Sequence, residues 1–122
     1  MRGYVDGFVL AVPKKKLPAY RKMAKIGARL WMKHGALQYF EGVGDDLDSK
    51  WASIKFPHVV RAKAGETVVF SFIVFRSRAH RDKVNARVMK DRVMNDPKMK
   101  AQPMPFDMKR MVYGGFKVLV EA

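Results

Sequence analysis

The chain has 122 residues, 48% of them hydrophobic, and 25 Lys and Arg against 11 Asp and Glu give it a formal net charge of +14. That length argues for a single domain over residues 1–122 with a core of its own, and the absence of cysteine excludes disulfides, thiolate metal sites and cysteine nucleophiles. The positive charge predicts attraction to polyanions at low salt, while no run approaches the ~20 apolar residues of a membrane span.

The N-terminal run Arg2-Gly3-Tyr4-Val5-Asp6-Gly7-Phe8 is too short and too polar for a secretion signal. A cytoplasmic protein with no membrane partner is therefore expected. Residues 4–12 read as a strand apolar on both faces, with Phe8, Leu10 and Val12 on one side and Val5, Val9 and Ala11 on the other. Pro13 ends it and suits a first helical turn. A helix is predicted over 14–33. At 100° per residue it gathers Leu17, Tyr20, Ala24, Gly27, Ala28 and Trp31 on one side, and Lys15, Lys22, Lys25, Arg29 and Lys33 on the other. His34-Gly35 terminates it, glycine being the residue that tolerates a left-handed cap.

A second strand is read over 36–44, followed by an irregular stretch over 45–66 that is long enough to be functional or to hide a short element. The third strand, 67–75, is again apolar on both sides, with Val68, Phe70, Phe72 and Val74 on one face. Ser77 is the N-cap of a second helix over 78–94, whose apolar positions split between Ala79, Ala86, Met89, Val93 and the pair Val84, Val88. A Met- and Pro-rich loop over 98–109 leads to a last strand over 110–120.

The order βαββαβ gives an α+β, ferredoxin-like fold: a four-stranded antiparallel sheet with two helices on one face. Two helices cover one face only, so the apolar residues of the other predict a homodimer joined sheet to sheet.

Blocks along the whole chain resemble the YbaA-like family. They are Tyr4-Val5-Asp6-Gly7-Phe8-Val9-Leu10-Ala11-Val12-Pro13, His34-Gly35-Ala36, Glu41-Gly42-Val43-Gly44-Asp45-Asp46, Glu66-Thr67-Val68-Val69-Phe70-Ser71, Ser77-Arg78-Ala79-His80-Arg81-Asp82, Met104-Pro105-Phe106-Asp107 and Arg110-Met111-Val112-Tyr113-Gly114-Gly115-Phe116. The resemblance implies a bacterial protein of the dimeric α/β-barrel class, with no assigned activity. The family pattern carries a cysteine where this chain has Gly42, so any role of that thiol is absent here.

The residues suggest a site. His34 with Asp45 and Asp46 forms a candidate acid–base group, and Glu41, Arg110 and Tyr113 are candidate ligand-binding residues. The simpler account of His34 is a cap favoured by the helix dipole. Asp45, Asp46 and Asp48 miss the spacing of a calcium loop, so a solvated turn is read and no metal is assigned. No glycine-rich phosphate loop is present, and no cofactor is expected. Strand three lacks the Lys/Arg-Gly-Phe/Tyr opening of an RNA-recognition motif, so nucleic-acid binding is expected to be non-specific only. The function expected is therefore binding or transformation of a small anionic metabolite between sheet and helices. The alternatives are a non-catalytic dimeric stress or housekeeping protein, or a basic protein with non-specific RNA affinity.

Overall fold

The computed structural model describes residues 3–122, so Arg2 of the N-terminal run lies outside the described residues. Strand β1 (Tyr4–Pro13) leads through a 3-10 turn (Lys14–Lys16) into α1 (Leu17–Lys33) and then β2 (Gln38–Val43). The second half holds α2 (Phe56–Val59), β3 (Glu66–Phe75), α3 (Arg78–Met89), α4 (Pro97–Lys100), a 3-10 turn (Met108–Arg110) and β4 (Val112–Lys117). The strands lie in the order β2-β3-β1-β4, and each neighbouring pair is antiparallel. The two doubly apolar strands are thus the two central ones, which is where a strand must be covered on both faces.

Several local expectations hold. Ser77 Oγ accepts the His80 amide at 3.1 Å and starts α3. Gly35 has φ +114°, a left-handed conformation that only glycine adopts cheaply, and the Ala36 amide then donates back to the Trp31 carbonyl at 2.9 Å. Elsewhere the boundaries shift. Helix α3 ends at Met89 rather than near residue 94, and β4 stops at Lys117.

Under the helices the core joins Tyr4, Leu30, Ile73, Phe75, Val84 and Val88, and continues into Leu10, Val12, Tyr20 and Val69. The contact side of α1 is only partly the one expected. Leu17, Tyr20 and Trp31 pack inward as the periodicity predicts, but Met23, Ile26 and Leu30 pack with them, which shifts the contact side away from Ala24 and Ala28. Long side chains reach a neighbouring sheet and alanines do not, so size won over the simple tally of apolar positions. On α3 the inward pair is Val84 and Val88, both fully buried, while Met89 and Val93 are exposed.

The second face of the sheet is not bare throughout. Val60, just after α2, buries against Ala11 and Val68, with Leu47 and Ala62 beside it. The stretch 45–66 therefore caps one end of that face, so the helices are not confined to a single side. The rest stays open. Phe40, Phe70, Val112 and Phe116 are between 41% and 62% exposed, and Phe72 stacks on Phe40 at 4.8 Å.

Candidate functional site

Because α1 turns Ala24 and Ala28 away from the core, small side chains line its flank beside the edge strand β2. A cleft of about 1020 Å³ opens there. Its floor is polar. Glu41 points from β2 toward the helices, where it accepts the Tyr20 hydroxyl at 2.6 Å on Oε1 and the Tyr39 hydroxyl at 2.7 Å on Oε2. Tyr39 reaches this position beneath Gly27, where a Cβ would press on its hydroxyl at 3.0 Å. Burial, and then hydrogen bonding to Glu41, push both phenols well above their usual pKa, so they remain protonated donors. Arg21 and Lys25 line the same cleft from the next turns of α1. A ligand can meet an acceptor on the floor and cations on the wall.

The other sequence-derived candidates do not converge on this cleft. His34 precedes β2 and Asp45 and Asp46 follow it. An extended strand rises ~3.3 Å per residue, so β2 alone holds them roughly 20 Å apart. The ladder agrees: the Leu37 amide donates to Val74 near the end of β3, while the Gly44 amide donates to Val68 near its start. His34 instead forms a lock with Asp91. Its Nε2 lies 2.7 Å from Asp91 Oδ2, and Lys33 Nζ donates to the same oxygen at 2.9 Å. The His34 bond, then Lys33 and the Val93 amide, hold the Asp91 carboxyl well below the ordinary carboxylate range. This joins the end of α1 to the turn after α3. His34→Ala and Asp91→Asn are each expected to lower the thermal midpoint by roughly 5–10 °C, while leaving any ligand response unchanged. Calorimetry with and without ligand checks both.

Arg110 and Tyr113 are likewise engaged elsewhere, because β4 and β2 occupy opposite edges of the sheet. Arg110 grips Glu66 with both Nη atoms, at 2.8 and 2.7 Å, rather than Asp45 or Asp46. Tyr113 shares one row of the sheet with Glu41, through Phe8 and Ser71. Three strand spacings of ~4.8 Å still separate them by roughly 14 Å. Asp45 and Asp46 are exposed, on the rim of a second hollow of about 450 Å³ among Phe40, Phe56, Phe70 and Phe72. Asp48 pairs with Lys55. Of the six candidates, Glu41, Asp45 and Asp46 share that rim. A side chain at position 42 would project onto the same open face, with its Cβ in ordinary contact at 3.6 Å from the Phe70 carbonyl.

Sequence reasoning passed over Tyr20, Tyr39, Asp91 and a buried group at Asp6 and Arg81. A carboxylate within a strand apolar on both faces is the available signal for Asp6.

Comparison with known proteins agrees with this architecture. The model of the family described as "Protein of unknown function (DUF1428)" matches residues 3–108. The uncharacterized protein YbaA of Escherichia coli (strain K12) is 43% identical over 97% of each chain, and its Shigella flexneri counterpart is the same. A crystal structure of a dimeric ferredoxin-like protein from an uncultured marine organism superimposes with a TM-score of 0.57 over all of both chains, at 11% identity. That likeness supports the ferredoxin-like fold. No helix among the described residues is long and apolar enough to cross a membrane.

Proposed function

For this chain, which belongs to the DUF1428 family and is YbaA-like, we propose a cytoplasmic homodimer of one-domain subunits whose α1–β2 cleft takes a small organic anion. The observation that carries this reading is Glu41, held between Tyr20 and Tyr39 on the floor of a roomy cleft with Arg21 and Lys25 on its wall. Two fixed hydroxyls orient the carboxylate, which leaves its remaining lone pairs to accept from a ligand. The cations suit a carboxylate or phosphate at the ligand's other end. The ligand class is therefore a small hydroxy or amino acid, or its phosphorylated relative. No reaction is assigned to the cleft.

The homodimer is supported by the open sheet face. Four strands at ~4.8 Å and six residues at ~3.4 Å make a sheet face of roughly 20 by 20 Å, and an exposed apolar patch of a few hundred Å² is often functional. Phe40, Phe70, Phe72 and Phe116 carry no charge that would specify a different partner, whereas a second copy presents the same apolar face. The dimeric state of the marine ferredoxin-like protein is in keeping with this. The basic residues Lys15, in the 3-10 turn, and Lys22, Lys25, Arg29 and Lys33, on α1, are all exposed, away from that face, and suit salt-sensitive contact with polyanions. The absence of cysteine suits a reducing compartment.

A thermal-shift series with hydroxy, amino and phospho acids tests the cleft. A true ligand at ~100-fold excess over its Kd stabilises by about 2.7 kcal/mol, which reads as a rise of several degrees. Glu41→Gln should abolish the rise, and Arg21→Ala or Lys25→Ala should weaken it. A rise that survives all three substitutions would place the ligand elsewhere.

A further inference from the structure

A second polar group lies under α3, at the opposite edge of the sheet from the cleft. Asp6 is the third residue of β1 and is 2% exposed. Arg81, in the second turn of α3, donates from Nη1 to Asp6 Oδ1 at 2.8 Å and to the Tyr113 hydroxyl at 2.7 Å. The Tyr113 hydroxyl donates in turn to Asp6 Oδ1 at 3.1 Å, closing a triangle of three groups. The guanidinium lies 5.0 Å from the centre of the Tyr4 ring, and its Nε donates to Asp82 at 2.8 Å. Gly115 makes room for this arrangement, since any Cβ there would collide with the Tyr4 hydroxyl. One corner of the triangle reaches outward, because Tyr113 is 50% exposed.

A structural ion pair stabilises the charged form of its carboxylate, as this protein does at Glu66, Asp91 and Asp107, each held below its usual range. Asp6 goes the other way. Burial raises its pKa despite the opposing pull of Arg81 and Tyr113. Keeping it ionised at neutral pH therefore costs stability, and a hydrophobic residue at this position would pack the core at less cost. Among the described residues, the bonds made by Arg81 use Nε and Nη1, so Nη2 is the nitrogen left to meet a ligand.

We propose that Tyr113, Arg81 and Asp6 form a proton-relay site, separate from the α1–β2 cleft, for a small enolisable oxo acid. Arg81 Nη2 meets the ligand's carboxylate, and the Tyr113 oxygen meets its enol hydroxyl. The enol O–H proton passes to the Tyr113 oxygen as the Tyr113 proton passes to Asp6 Oδ1, leaving an enolate and a neutral Asp6. The enolate carbon takes a proton from water, and the Tyr113 hydroxyl gives its proton to the hydroxide so formed as the Asp6 proton returns to the Tyr113 oxygen. The net change is enol to ketone, with no oxidant, reductant or co-reactant. Tyr113 and Arg81 touch the ligand; Asp6 acts through Tyr113.

The test follows ketonisation of freshly dissolved enol-oxaloacetate and enol-phenylpyruvate by the loss of enol absorbance. The wild-type protein should accelerate at least one of them over buffer in a saturable manner. Tyr113→Phe should cut kcat about 100-fold, within the range for a positioned proton-transfer group, with a circular dichroism spectrum and oligomeric state like the wild type. Arg81→Lys should act mainly on KM. Asp6→Asn should act on kcat with KM little changed. Glu41→Gln, in the other cleft, should leave this rate alone, so loss of one site is distinguishable from loss of the other. No acceleration by the wild type, or equal rates for wild type and Tyr113→Phe, would overturn the proposal even if Asp6→Asn failed to fold.

Discussion

Phe72→Asp is expected to convert the protein from a dimer to a folded monomer. Phe72 lies on the central strand β3, on the face away from the helices, stacked against Phe40 at 4.8 Å and edge-on to Phe70 at 6.1 Å. In a sheet-to-sheet dimer a carboxylate there would be buried against the partner with no cation beside it, and by symmetry twice. An unpaired buried charge costs several kcal/mol. At 1.4 kcal/mol per tenfold, the dissociation constant should rise by more than about 100-fold. Within one chain the same substitution faces outward, so the core formed by Ile73, Phe75, Val84 and Val88 is untouched and the fold should persist. Light scattering at micromolar concentration should give twice the chain mass for the wild type and for Phe72→Leu, and the single chain mass for Phe72→Asp. A wild type that is already monomeric would remove the premise.

The pattern that predicts this interface is also the part of the fold most legible in the sequence. Apolar residues at successive positions of β1 and β3 mean burial on both sides, and such strands end up in the middle of a sheet. Pro13, Gly35 and Ser77 marked boundaries because each acts through its own backbone or side-chain chemistry. Less was legible where the outcome depends on side-chain size or on distant partners. Periodicity grouped Ala24 and Ala28 with Tyr20 as a contact face. Only packing shows that the alanines line a cleft while Leu30 fills the core.

The candidate site was legible in the same uneven way. The sequence offers Glu41 as a ligand-binding candidate, but nothing local to it announces its tyrosine partners, which come from α1 and from two residues earlier on β2. Neighbours along the chain are not neighbours in space here, because β2 carries the chain from one end of the sheet to the other. Charged residues were the least predictable. Asp91, Glu66 and Asp6 each found a partner between 44 and 75 positions away, a pairing no local spacing encodes.

Arg110 illustrates how much can rest on one such pairing. It donates to both oxygens of Glu66, to Asp107 Oδ2 at 3.2 Å and to the Arg61 carbonyl at 3.0 Å, so one guanidinium ties the Met- and Pro-rich segment to the start of β3. Both side chains are largely enclosed, at 12% and 9% exposure. The Arg110 bond is the main reason the Glu66 carboxyl is pulled from 4.5 to about 2. A carboxyl whose folded pKa is depressed contributes stability that is fully present above its unfolded value and is lost as pH falls through its folded value. The Glu66 contribution should therefore fade between about pH 4.5 and pH 2. Asp107, held down by the Lys109 amide and then by Arg110, acts in the same direction. Arg110→Met leaves the Glu66 carboxylate enclosed without its cation. It should lower the thermal midpoint at neutral pH by roughly 10 °C. Because Glu66 then protonates closer to its ordinary pKa, the gap between variant and wild type should shrink as the pH is lowered through that window. Adding Glu66→Gln should restore part of the loss, since a neutral amide tolerates the site better than a lone carboxylate. Melting curves from pH 7 down to pH 2 decide the matter. A gap that stays constant with pH would mean that Arg110 acts through packing alone, its aliphatic stem filling space beside Glu66 rather than its charge holding the carboxylate.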